Sequence, residues 1–136
     1  MQNVVFISAS LSSLDFHSNA ERTSQLRNKL LSLGLEFHSV RIDNAPYFMI
    51  LTNQLSLAKQ IALLYNQTNL YISDSRRQTF RLDLTGDTFV PTKLGTLTRT
   101  MSSNGSSVMG SAKPMPGAFC LSVYEDNQQY YYTTTR

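Results

Sequence analysis

Arg76, Arg77 and Arg81 fall within the run YNQTNLYISDSRRQTFRLDLTG (residues 65–86), interleaved with Tyr71 and Phe80. Guanidinium forks take phosphates in bidentate pairs, and aromatic faces stack on bases and on guanidinium planes. Asn66 and Gln67, just upstream, carry amides that could read the polar edge of a base. These seven residues make a candidate binding set for a nucleotide-like anion: Arg76, Arg77 and Arg81 on phosphates, Tyr71 or Phe80 stacked, Asn66 or Gln67 on polar edges.

Other chemistries are poorer. One cysteine and two histidines, His17 and His38, do not supply the clustered ligands of a zinc site, so no metal and no cofactor are expected. Ser8, Ser10, Ser12 and Ser13 precede Asp15 and His17, and a hydrolytic triad could be written with them, but no strained G-x-S-x-G turn frames a nucleophile. The plainer reading is a Ser-rich loop bonded to its own backbone, and the chain is expected not to be an enzyme. No G-x-x-x-x-G-K phosphate loop occurs.

Composition narrows the class. The chain has 136 residues, 41% hydrophobic and 15% charged, with a formal charge of +3 spread along its length. That is one domain's worth of chain, 1–136, without the dense basic stripe of a duplex-binding protein. Cys120 lies in the apolar run AFCLSVY and reads as a structural thiol. With no apolar segment of membrane-spanning length and no signal-peptide pattern, a cytoplasmic protein without membrane contact is expected.

The elements that must position the candidates follow from periodicity. NVVFIS reads as a buried first strand; Ser18 with Glu21 is a capping-box pattern, and Gly34 is the matching stop for a helix. LEFHSVRI changes apolar parity between Phe37 and Val40, which predicts a bulge near His38 and Ser39. DNAP predicts a turn before the strand YFMILT, and a broad apolar stripe predicts a second helix over 54–65. NLYIS and RQTFRLDL read as strands, the latter with strict alternation. Residues 101–118, rich in Ser, Gly and Pro, predict a mobile loop, and AFCLSVY with QYYYTTT predicts a closing hairpin that holds Tyr130, Tyr131 and Tyr132.

That order predicts an α+β fold: a ferredoxin-like βαββαβ core over 1–87, its mainly antiparallel sheet carrying two helices on one face, followed by a β-rich tail over 88–136. The other face would stay open to solvent, ligand or a second copy, so a homo-oligomer, a dimer or higher, is expected.

Residues 4–86, and above all YNQTNLYISDSRR, resemble a set of small phage and prophage accessory proteins related to a domain of unknown function. The resemblance implies a protein that acts on the host cell. In style it is similar to the small sponges of Thoeris-type anti-defence, which sequester nucleotide signals without catalysis, as oligomers, through Arg and aromatic residues. A protein–protein inhibitor of a host enzyme, a nucleic-acid-binding protein, and a small hydrolase using the first-loop Ser and His residues stand as alternatives.

Overall fold

The computed structural model describes residues 3–43, 45–85, 91–100, 120–125 and 128–135. Its elements in chain order are β1 (Asn3–Ile7), α1 (Phe16–Ser32), β2 (Glu36–Ile42), β3 (Ala45–Thr52), α2 (Leu55–Leu64), β4 (Asn69–Ser73), β5 (Gln78–Asp83), β6 (Thr92–Thr100), β7 (Cys120–Glu125) and β8 (Gln128–Thr135).

All neighbouring strands are antiparallel, and the sheet closes on itself in the order β1-β3-β2-β7-β8-β6-β5-β4, with β4 returning to β1. This corrects the ferredoxin-like expectation. The fold is a closed eight-stranded barrel with two helices, not an open sheet with one free face. The tail decides the difference: β5 bonds to β4, β7 bonds to β2, and β6 with β8 fills the gap between them. Closure gives every strand a neighbour on each side, with β2 meeting β7 over Val40, Arg41 and Ile42.

Two apolar clusters lie on opposite sides of the same strands. Val5, Ile7, Phe48, Ile50, Leu70 and Leu82 pack outward against Leu26 and Leu30 of α1 and Ala58, Ile61 and Ala62 of α2. Phe6, Val40, Ile42, Leu94 and Leu121 face the other way and fill the barrel, with Tyr47, Met49, Tyr71 and Tyr132 packed against them. The face read as open is therefore barrel interior.

The same two-sidedness removes the expected bulge. β2 pairs with β3 without a register shift, from Glu36↔Leu51 to Ile42↔Ala45. Phe37 points out towards the helices, and Val40 and Ile42 point into the barrel. The parity change records a strand that is apolar outside at one end and inside at the other. A register irregularity does occur between Thr79 and Phe80, where β5 meets β6 and Gly95 takes φ +117°.

Helix α1 starts earlier than the Ser18–Glu21 pattern suggests: Asp15 is the N-cap, its carboxylate accepting from the Ser18 N–H at 2.8 Å. Gly34, at φ +69°, ends it in a Schellman motif, with Gly34 N–H on the Leu31 carbonyl and Leu35 N–H on Leu30. α2 ends the same way, with Asn66 at φ +62° in the left-handed position. The residues read as a mobile loop, 101–118, lie outside the described residues, and Cys120 begins β7.

Candidate functional site

β1 delivers the chain into a loop, residues 8–15, that is tied down from several sides. Ser8 Oγ donates to the Pro46 carbonyl and accepts from the Ser10 N–H, both at 3.1 Å. The Asn19 amide accepts from the Leu11 N–H at 2.9 Å and donates to the Leu11 and Leu14 carbonyls at 3.0 and 3.3 Å. Arg22 Nε donates to the Ala9 carbonyl at 2.7 Å, its Nη2 donates to the Tyr65 carbonyl, and its guanidinium lies 5.9 Å from the Tyr65 ring centre. The loop is thus fixed to α1, to the end of α2 and to the β2–β3 hairpin at once.

Between this loop, the first turns of α1 and the hairpin opens a cleft of about 610 Å³, within the range of small-molecule sites. Ser8, Ser10, Leu11 and Ser12 form one wall; Phe16, Asn19, Ala20 and Thr23 of α1 form the second; Arg41, Ala45, Pro46 and Tyr47 form the third. An adjoining hollow of about 360 Å³ shares Thr23, Arg41, Pro46 and Tyr47 and adds Ser39 and Ser122. Phe16 is 81% exposed, edge-on to His17 with 5.9 Å between ring centres, so its face is open to stacking. The Ser10 hydroxyl is buried without a hydrogen-bond partner among the described residues, which burial makes costly.

Behind the cleft, Tyr47 reaches into the barrel and meets Tyr71, ring centres 6.0 Å apart. Burial, Tyr71 and Asp43 push the Tyr47 hydroxyl up to about 12. Burial and Asp43 also raise Tyr71, while Arg81 pulls it back. Both phenols therefore stay neutral at physiological pH and can donate hydrogen bonds.

The seven candidates from sequence are not brought together. Arg76 and Arg77 sit in the β4–β5 hairpin, where Asp74 accepts from the Arg76 N–H at 2.8 Å and Arg77 takes φ +63°. Arg81 lies further along β5, away from that turn and directly opposite Tyr71. Phe80 alternates to the other side, across from Ile72, on the outer surface of the barrel. Asn66 supplies the left-handed residue that ends α2, and Gln67 donates at 3.2 Å to the Ser10 and Tyr65 carbonyls. Only Tyr71 with Arg81, and Gln67 through its bond to Ser10, lie near the cleft's end of the barrel.

The first-loop triad is not hydrogen-bonded as one. Ser8 is committed to Pro46, Asp15 caps α1, and the His17 ring packs on Phe16. The hydrogen bonds from Ser18 hold the Asp15 carboxyl below its ordinary value, so it is ionised at neutral pH. Among the described residues no group of three or more His, Cys, Asp or Glu could hold a metal ion, and no helix is long and apolar enough to cross a membrane.

Sequence reasoning missed Arg41, Phe16 and Tyr47. The available signal was positional: the end of a buried strand, a Ser-rich loop and the start of a helix lie next to one another in the chain, the arrangement in which α/β sheets commonly hold ligands. No family model and no curated protein matches the chain.

Proposed function

We propose that the protein binds and sequesters a small nucleotide-like anion without turning it over, and that the cleft beside the start of α1 is where it does so. The observation that carries this reading is the cleft itself, where one guanidinium, an exposed aromatic ring and several hydroxyls surround a mostly apolar hollow. Arg41 would take the anion, Phe16 would stack on a flat ring, and Ser10 and Ser12 would bond its polar edge. Such a protein would act by lowering the free concentration of a signal, as the phage-type accessory reading implies. The test is native mass spectrometry of the protein from its source cell. A nucleotide-sized mass carried by the parent protein and absent from Arg41→Ala and Phe16→Ala supports the site. The same mass on all three proteins removes the cleft from consideration.

A second reading, a docking face for a host protein, rests on the exposure of Phe16, Leu63 (51%) and Leu64 (63%). It does not rest on the tyrosines, because Tyr132 packs inside the barrel and Tyr131 is half-buried. Capture of a defined partner that is lost on Leu63→Ser with Leu64→Ser, and kept on Arg41→Ala, would favour it.

A further inference from the structure

We infer that the protein forms a symmetric dimer by pairing residues 36–39 of β2, edge to edge and antiparallel, with the same residues of a second copy. The barrel closes at β2 over three residues: Val40, Arg41 and Ile42 face Val123, Ser122 and Leu121 of β7. β7 runs on to Glu125, paired there with Gln128 of β8, but no longer meets β2. β3 follows β2 all the way from Glu36 to Ile42. Among the described residues, 36–39 therefore have a ladder neighbour on one side and none on the other. Glu36, His38 and Ser39 are exposed, and the open side of this stretch can offer its N–H and C=O groups to another strand.

The side chains along the edge fit a second copy. In an antiparallel pairing centred on Phe37, that ring meets its own counterpart, and Glu36 of each copy lies directly opposite His38 of the other. Aromatic pairs and opposite-charge pairs are cross-strand combinations that stabilise antiparallel ladders. The imidazole carries an N–H donor in either charge state, so it can donate to the carboxylate throughout.

The outer side of the edge is apolar. Phe37 is half-buried and edge-on to Phe48, with 5.4 Å between ring centres, on the helix-covered side of the sheet. Leu31 belongs to the same flank: it comes eleven residues, about three helical turns, after Ala20, which lines the cleft opposite Arg41 of β2. Leu31 is 58% exposed and Leu33 is 40% exposed. Across the two-fold axis, Phe37, Leu31 and Leu33 of the two copies would cover one another, while Glu36 and His38 pair on the inner side. The pairing is isologous and the edge is short, so it ends at two copies and does not propagate.

The experiment is sedimentation equilibrium of the full chain from about 1 μM to about 1 mM, with variants that melt like the parent. The parent is expected to dimerise within that range. Glu36→Lys puts a lysine opposite each imidazole, and His38→Glu puts two carboxylates opposite each other; each should weaken the dimer about tenfold or more. An equimolar mixture of these two variants should dimerise like the parent, because both pairs across the axis are complementary again. Leu31→Asp should weaken the dimer as well. A monomer across the whole range overturns the inference. A dimer that Glu36→Lys and Leu31→Asp leave unchanged also overturns it, since the interface then lies elsewhere. Two monomeric variants whose mixture fails to recover the dimer overturn the pairing of Glu36 with His38, and the inference with it.

Discussion

Single residues here separate conformational duty from ligand duty. Arg77 sits at φ +63° in the turn between β4 and β5, a position that favours glycine. Arg77→Gly should therefore stabilise the protein by about 0.5–1 kcal/mol, net of the extra chain entropy of glycine. The melting temperature should rise by about 2–4 °C, and ligand affinity should not change. Tyr47 makes a different prediction. Its hydroxyl is raised to about 12 by burial, Tyr71 and Asp43, against about 10 in the unfolded chain. A raised acid gives stability that is whole below pH 10 and is lost as pH climbs through 12, because the unfolded chain ionises first. Urea titrations across that window should show the parent losing about 2–3 kcal/mol to this group. Tyr47→Phe should lose less, and an equal loss in both proteins would refute the assignment. Tyr71 shifts the same way, so its share of the loss persists in Tyr47→Phe.

At the scale of elements, the end of α2, the start of α1 and the loop after β1 behave as one unit because Arg22 bonds the carbonyls of Ala9 and Tyr65 and Gln67 bonds those of Ser10 and Tyr65. Arg22→Met keeps the apolar stem and removes the charged donors. It should cost about 2 kcal/mol by chemical denaturation, in the range of hydrogen bonds to charged groups. It should also weaken ligand binding although Arg22 does not line the cleft, since the loop carrying Ser8, Ser10 and Ser12 loses its anchor. A fully stable variant with unchanged affinity would show that the bonds of Asn19, Ser8 and Gln67 hold the loop without Arg22. Gln67, read from sequence as a ligand amide, belongs to this brace, and Asn66 belongs to the helix end.

At the scale of the whole molecule, the barrel makes β6, β7 and β8 part of the core. Without β6, β7 and β8, the inner faces of Phe6, Val40 and Ile42 would meet water along with Tyr47, Met49 and Tyr71. A fragment of residues 1–85 is therefore expected to aggregate or to lack fixed side-chain packing, as read by near-ultraviolet circular dichroism and gel filtration. A soluble monomer with native-like signals would mean that the elements from β1 to β5 stand alone. Closure also removes the open sheet face from which self-association was argued, since that face is covered by the chain's own tail.

The chain's periodicities were enough to place both helices and every strand except β6, because each alternation or stripe is written by local burial: Phe80, Leu82 and Leu84 against Arg81 and Asp83, or Gly34 at a helix end. Even where the pattern misled, it carried information. Phe37 and Val40 change parity because β2 is covered by helices outside and by barrel core inside. What local pattern does not encode is which strand edges pair across long separations, and that pairing decided everything else. Bridging β5 to β2 through β6, β8 and β7 turned an apparent ligand face into a core and left the cleft to Phe16, Arg41 and Tyr47, while the local β4–β5 turn holds Arg76 and Arg77 away from Arg81. Those three are 25 and 6 positions apart in sequence, and only the β2–β3 hairpin lying against the start of α1 makes them neighbours.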